Sequence, residues 1–235
     1  MSDHTNKQFD AEMEAIRSGV LSMGGIVEQQ LMRAIDALEK EDDARRTDAV
    51  GEDEAAINQL QMSIDQQCAQ IIAKRQPAAV DLRMVLTVSK IVNDLERIGD
   101  EVKKIVYKAA QTRSSDRLAR VRYFDTAKAL DHAMTMLRLA LDAFARLAVV
   151  AAAEVIERDA DIDAAFASIL RQLISYMMED PRTITPALEI VFIAKSIERV
   201  GDHAKNIAEA VVQVVMGKDV RHASADEIRA EVAGP

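Results

Sequence analysis

The sequence predicts an all-α protein made of two tandem three-helix bundles, followed by a short C-terminal helix. Residues that favour turns and strands are scarce, with eight Gly, four Pro and 3% aromatic side chains among 235 residues. Strong helix formers such as Ala, Leu, Glu and Arg are plentiful instead. An internal repeat divides the chain into two halves, and each half has room for three helices.

Helix boundaries follow from the few residues that break helices. Breaks are indicated at the charged stretch 39–43, at Pro77, at the polar stretch 112–116, around Pro181 and Pro186, and at Gly217. We therefore predict helices over residues 8–40, 43–75, 78–111, 117–150, 152–179 and 184–216. A seventh helix is predicted over residues 224–232, with Ser224 as its N-cap and Glu227 at position N3. Long helices with short connections are typical of up-down bundles.

The third predicted helix carries the clearest periodic pattern. Its apolar and small residues recur at alternating steps of three and four, which places them on one face of a helix. These residues are Val85, Val88, Val92, Leu95, Gly99, Val102, Val106 and Ala109.

Composition excludes several functional classes. A net charge of −9 with few aromatic residues argues against binding to nucleic acid. No stretch without a charged residue is longer than that of residues 18–27, which is half of the roughly 20 apolar residues that a membrane span needs. The first residues lack the basic-then-apolar order of a signal peptide, and Cys68 has no second cysteine to pair with. We therefore expect a soluble cytoplasmic protein.

A short acidic motif occurs twice in the chain. Glu96-Arg97-Ile98-Gly99-Asp100 recurs 102 residues later as Glu198-Arg199-Val200-Gly201-Asp202. Upstream of each copy, residues 54–58 align with residues 159–163, and a proline turn lies between the two matches in both halves. Two matches in the same order indicate a duplication. We place the boundary between the two repeats at residues 114 and 115.

The spacing of the acidic residues predicts two polar clusters. If helices two and three form an antiparallel hairpin at Pro77, residues equidistant from that proline lie at the same level. The same reasoning applies to the hairpin at Pro181. The first cluster then consists of Glu54, Asn58, Glu96 and Asp100, and the second consists of Asp159, Asp163, Glu198 and Asp202.

Crowded carboxylates need cations nearby. One reading is purely structural, with Arg97, Arg199, Lys103 and Lys205 supplying the positive charge. The other reading is a metal site. Clusters of oxygen ligands suit Mg²⁺, Mn²⁺, Ca²⁺ or iron rather than structural zinc, which prefers Cys and His.

Catalytic signatures are weak by comparison. No histidine lies three residues after a Glu, so the Glu-x-x-His pair of di-iron bundles is absent from the sequence. No glycine-rich nucleotide-binding motif occurs either. His203 is expected to face solvent or a partner. A metal-dependent enzyme and a metal-free helical scaffold remain as alternatives to a regulatory protein.

The sequence resembles the PhoU family, the accessory proteins of bacterial phosphate-specific transport. The resemblance lies in residues 23–31, 73–77, 81–83 and 176–180 and in the two ERxGD motifs, and it covers about residues 8–230. It implies two three-helix repeats with an E(D)xxxD pair in each, and a regulator rather than an enzyme.

By position, the resemblance implies metal ligands in both repeats, binding Mg²⁺, Mn²⁺ or iron clusters. These ligands are Glu54, Glu96 and Asp100 in the first repeat, and Asp159, Asp163, Glu198 and Asp202 in the second. Asn58 stands where the family has an acid.

The resemblance also implies a function and partners. The protein would repress the phosphate-starvation regulon and restrain phosphate uptake. It would do so by linking PstB, the ATPase subunit of the phosphate ABC transporter, to the sensor histidine kinase PhoR. It would associate with the membrane only through these partners, and it would form a homodimer.

Overall fold

The structure, a computed structural model, describes residues 2–39, 44–112, 117–218, 220, 223 and 225–233. This part of the chain contains seven α-helices, one 3₁₀ turn and no β-strand. The helices are α1 (Ser2–Glu39), α2 (Ala44–Arg75), α3 (Ala79–Thr112), α4 (Arg117–Arg146), α5 (Val149–Glu179), α6 (Ile184–Met216) and α7 (Ala225–Ala233), with the 3₁₀ turn at Pro181–Thr183. The predicted all-α class is confirmed.

The helices pack as two three-helix bundles. Helices α1, α2 and α3 contact one another, as do α4, α5 and α6. The bundles meet through α3 against α6 and α1 against α4, and α7 packs on α5. Buried apolar residues of both bundles form one continuous core. The repeat boundary at residues 114 and 115 lies outside the described residues and stays a prediction.

Some predicted helix ends are wrong. Helix α4 ends at Arg146 rather than near residue 150, because Leu147 adopts a left-handed conformation with φ 52° and α5 begins at Val149. Leu147 is neither Gly nor Pro, so the sequence carried no sign of this turn. Helix α1 begins at Ser2, six residues before the predicted start. The predicted cap residue Ser224 lies outside the described residues.

Both hairpin turns depend on local backbone chemistry around proline. Gln76 and Ala79, on either side of the Pro77-Ala78 step, have φ values of 48°. In the second hairpin, the Asp180 carboxylate accepts a hydrogen bond from the Arg182 backbone N–H at 3.0 Å, and a proline occupies the first position of the 3₁₀ turn. Each turn reverses the chain and sets the helices that flank it side by side.

The apolar stripe of α3 is buried as predicted, and its glycine has a specific packing role. A Cβ atom built on Gly99 would lie 3.2 Å from the Ile57 side chain of α2. A Cβ atom on the equivalent Gly201 of α6 would lie 3.2 Å from Ile162 of α5. Each motif therefore carries its glycine directly against the other helix of its hairpin.

The two third helices, α3 and α6, run antiparallel across the middle of the molecule. Polar contacts join them along most of their length. From one end to the other these are Arg83 Nε to the Val214 carbonyl at 3.3 Å, Asp94 to His203 at 2.8 Å, Glu101 to Arg199 at 3.2 Å, and Lys108 to Glu189 at 2.6 Å. Because the helices are related by the duplication, this pairing joins the two repeats through equivalent surfaces.

The close approach at Gly99 gives a stability prediction. Gly99→Leu should lower the free energy of unfolding by about 1–3 kcal/mol, the usual range for overpacking, because Ile57 leaves no space for the side chain. Gly25→Leu is the matched control, since a Cβ atom there meets nothing within 4 Å. The control should be neutral or more stable by about 1 kcal/mol, because Leu favours a helix over Gly. Equal urea midpoints for the two variants would contradict the packing argument.

The buried Glu101 at the α3–α6 contact gives a pH prediction. Burial opposes ionisation, but hydrogen bonds from Lys104, Ser196 and Arg199 outweigh it and hold the pKa of Glu101 below its ordinary value of 4.5. A carboxyl whose pKa is lowered on folding stabilises the folded state above its unfolded pKa. That contribution is lost as the pH falls through the folded pKa.

We therefore expect Glu101→Gln to lower the free energy of unfolding by about 1–2 kcal/mol at pH 7. This is the lower part of the range for hydrogen bonds to a charged group, because Lys104 and Arg199 are half exposed and solvent weakens their interaction with Glu101. The difference from wild type should shrink as the pH falls below about 4.5. Denaturation at several pH values measures it, with exposed Glu14→Gln as the control. A difference that stays constant down to pH 3 would show that the charge of Glu101 is not what stabilises the contact.

Candidate metal and regulatory site

The α2–α3 hairpin has the register that the sequence predicted. Ser89 donates to the Asp65 carboxylate at 2.7 Å, and both residues lie twelve positions from Pro77. Gln61 donates to Asn93 at 3.2 Å, and both lie sixteen positions from Pro77. Helix α2 therefore presents Glu54 at the level of the first acidic motif of α3.

The first cluster brings three carboxylates together. Burial raises the pKa of Glu96, and the charges of Asp100 and Glu54 raise it further, while Arg97 partly offsets the effect. Lys103 forms an ion pair with Glu54 at 2.6 Å. Asn58, the amide of the predicted set, is exposed.

The second cluster brings four carboxylates together. Asp202 is accessible, yet partial desolvation raises the pKa of its carboxyl, and so do the neighbouring charges of Glu198, Asp159 and Asp163. Two lysines face the cluster. Lys205 contacts Asp159 at 2.7 Å, and Lys195 contacts Glu198 at 2.5 Å.

Some of the Lys and Arg side chains that we predicted to neutralise the clusters contact the cluster carboxylates, and others do not. Lys103 and Lys205 occupy equivalent positions in the repeat, and each holds the equivalent acid of the preceding helix. Arg199 differs from the expectation, because it reaches across to Glu101 of α3. Lys195 was missed, although its position three residues before Glu198 places it on the same helix face.

The donor set has the chemistry of a hard-cation site, because its side chains offer carboxylate oxygens. As the side chains stand, no three Asp, Glu, His or Cys groups in the described ranges converge on one point to hold an ion. The second cluster nevertheless contains an orphaned atom, because Glu198 Oε2 is buried without a hydrogen-bond partner. A buried carboxylate oxygen without a donor is costly, and a cation would satisfy it.

A groove between α3 and α6 connects the two clusters. It has a volume of about 680 Å³ and is lined by Arg97, Asp100 and Lys104 of α3 and by Arg199, Asp202 and Lys205 of α6, among others. Asp100 and Asp202, one from each cluster, face this common space. The groove could not be predicted from the sequence, because it depends on how the two repeats pack.

His203 is not the surface residue that we expected. Its side chain is 14% exposed, and its Nδ1 lies 2.8 Å from the Asp94 carboxylate of α3. Asn206 donates to the same oxygen at 3.3 Å. The contact has a counterpart related by the internal repeat, since His203 and Ser196 of α6 are equivalent to Glu101 and Asp94 of α3, and Ser196 hydrogen-bonds to Glu101.

No helix in the described part of the chain combines the length and apolarity that crossing a bilayer requires.

Comparison with known families identifies the same two-repeat organisation. The family model of the PhoU domain matches residues 20–109 and 126–211. The phosphate-specific transport system accessory protein PhoU homolog of Pseudomonas putida is 44% identical over 234 residues, which is 100% of this chain and 91% of that protein. The accessory protein PhoU of Escherichia coli K12 is 42% identical over 236 residues, covering 100% of this chain and 96% of that protein.

Solved structures show the same architecture. The crystal structure of PhoU from Pseudomonas aeruginosa matches with a TM-score of 0.82 at 42% identity, covering 89% of this chain and 100% of that one. The phosphate transport system regulatory protein PhoU from Streptococcus pneumoniae matches with a TM-score of 0.80 at 26% identity, covering 90% and 99%. PhoU proteins are accessory proteins rather than enzymes. Sequence, repeat structure and fold agree, and this chain belongs to the PhoU family.

Proposed function

We propose that this protein is a negative regulator of the phosphate-starvation regulon and a modulator of phosphate uptake. The observation that carries the proposal is full-length similarity to PhoU accessory proteins, together with an acidic motif in each repeat. At the coarser level, the protein is a regulator associated with phosphate transport.

The proposed mode of action is that of an adaptor. Its partners are the transporter ATPase subunit PstB and the sensor kinase PhoR, which it meets at the cytoplasmic face of the membrane. An adaptor produces its output as a difference in binding free energy between partner states, without a chemical step. We also propose that the protein acts as a homodimer.

The proposed cofactors are Mg²⁺, Mn²⁺ or iron in the two clusters. Their ligands are Glu54, Glu96 and Asp100 in the first cluster, and Asp159, Asp163, Glu198 and Asp202 in the second. A bound cation would replace the ammonium groups of Lys103 and Lys205 as the counter-charge. It would also link α2 to α3 and α5 to α6, since each cluster draws its ligands from both helices of a hairpin.

A metal-free adaptor is the second candidate, and the lysine contacts favour it. In the structure, Lys103, Lys195 and Lys205 already hold Glu54, Glu198 and Asp159. In this form the lysines are permanent structural partners, and the clusters never exchange them for metal. Elemental analysis of protein purified without chelators distinguishes the two candidates.

The metal proposal predicts an order of affinity. Once the lysines are displaced, the second cluster offers four carboxylates and the first offers three. The second should therefore bind divalent cations more tightly, because the number of charged ligands tunes affinity at oxygen sites. In calorimetric titrations with Mn²⁺, Asp159→Asn should remove the tighter phase and Glu54→Gln the weaker one. A greater loss of metal from Glu54→Gln would reverse this order.

The regulatory proposal predicts a cellular phenotype. Cells in which Glu198→Ala and Asp202→Ala replace the wild-type residues should express phosphate-scavenging genes even in rich phosphate. The reason is that the second cluster loses half of its carboxylates while α6 keeps its helix-forming residues. A reporter of the phosphate-starvation response measures the effect.

The matched control is Asp10→Ala with Glu14→Ala, an exposed acidic pair of the same spacing on α1. This pair should leave repression unchanged. Circular dichroism and thermal melting must show that both double variants are folded. A folded Glu198/Asp202 variant that represses normally would show that the second cluster has no role in signalling.

A further inference from the structure

The α3–α6 groove contains an arginine, Arg97, that affects the neighbouring Glu96 through its charge without a direct contact. Arg97 is exposed, lines the groove, and forms no hydrogen bond or ion pair within the described part of the chain. Its equivalent in the second repeat, Arg199, lines the same groove from the opposite helix. The duplication and the antiparallel packing of α3 and α6 thus direct two guanidinium groups into one space.

In the metal-free state, the cations of the groove are largely neutralised. Lys205 is held by Asp159, while Lys104 and Arg199 are both held by Glu101. Asp100 and Asp202 add negative charge to the lining. An anion that enters this groove meets about as much repulsion as attraction.

Metal binding would change this balance. If the second cluster held a divalent cation, Lys205 would lose Asp159 as its partner and could turn toward the groove. Cations held in both clusters would also neutralise Asp100 and Asp202. The groove would then have a net positive charge, because Arg97, Lys104, Arg199 and Lys205 line it against only two remaining carboxylates, Glu101 and Glu209.

We propose that the α3–α6 groove binds a phosphoryl oxyanion, and that divalent cations in the two carboxylate clusters strengthen this binding. The inference rests on the metal role in the proposed function. Guanidinium groups suit this ligand because their planar N–H donors match phosphate oxygens in pairs. The volume of about 680 Å³ admits either inorganic phosphate or a nucleotide that carries the same group.

The two ligands are coupled in both directions. If metal raises the affinity for phosphate by some factor, phosphate raises the affinity for metal by the same factor. A regulator with this property reports phosphate through the occupancy of a metal site, without turning phosphate over.

The test is calorimetry of inorganic phosphate on the full chain, with and without saturating Mn²⁺ or Mg²⁺. We expect phosphate to bind at least about tenfold more tightly in the presence of metal, within the range usual for linked sites. Phosphate should tighten metal binding by the same factor. A parallel titration with ADP distinguishes the two sources of the group, since the source with the lower Kd is assigned as the ligand.

Arg97→Gln is the most direct variant, because Arg97 holds no other residue in place. It should weaken phosphate binding at least about tenfold, as expected when a charged bidentate donor is lost. It should not weaken metal binding without phosphate, because the positive charge beside Glu96 opposes a bound cation. Arg171→Gln, an exposed change on α5 outside the groove lining, is the control and should bind phosphate like the wild type.

The repeat supplies a second matched pair of variants. Lys205→Gln and Lys103→Gln each release one carboxylate, but only Lys205 lines the groove. Both should therefore bind metal more tightly, whereas only Lys205→Gln should reduce the effect of metal on phosphate binding.

Three results would overturn the proposal. They are phosphate binding that is equally tight without metal, phosphate binding that survives Arg97→Gln, and the absence of phosphate binding to metal-loaded protein. A protein that binds no metal in either cluster would overturn both the metal role and this inference. Normal repression by the Glu198/Asp202 double variant tests the regulatory function separately, because it measures signalling rather than ligand binding.

Discussion

The antiparallel packing of α3 against α6 is the contact on which the rest of the molecule depends. Each helix is also the second arm of a hairpin and carries the acidic motif of its repeat. Joining these two helices therefore places both motifs at the centre of one molecule. Without this contact, the two bundles would meet chiefly through α1 and α4, and each acidic cluster would be isolated from the other. The groove, the paired arginines and the continuous core all follow from it.

Like charges are tolerated at this centre because the chain supplies cations at repeated positions. Lys103 and Lys205 reach back from the third helix of each repeat to an acid on the second. The compensation is incomplete, since Glu198 Oε2 is buried without a partner and the pKa values of Glu96 and Asp202 remain raised. The lysines therefore stabilise the two carboxylate clusters, and the clusters could still accept additional positive charge.

Much of the fold and part of the site were predictable from the sequence. The rarity of Gly and Pro exposed the helix boundaries. The equal distances of Asn58 and Glu96 from Pro77 predicted a hairpin register, and the contact between Ser89 and Asp65 confirms it. The contact of His203 with Asp94 was not predicted, because it depends on how two distant helices pack and no local pattern specifies that. The end of α4 at Arg146 was missed for a related reason, since tertiary packing holds Leu147 in a conformation that leucine does not favour.

The separation of contacts along the chain implies an order of assembly. The polar contacts within the α2–α3 hairpin join residues 24 to 49 positions apart. Those between α3 and α6 join residues 81 to 131 positions apart. Loop-closure entropy favours the shorter connections, so each hairpin can close before the two repeats meet. During synthesis, the first hairpin emerges and forms while α6 has not yet been made. The groove is therefore a late product of folding, and a chain arrested after its first repeat would have one acidic cluster but no groove.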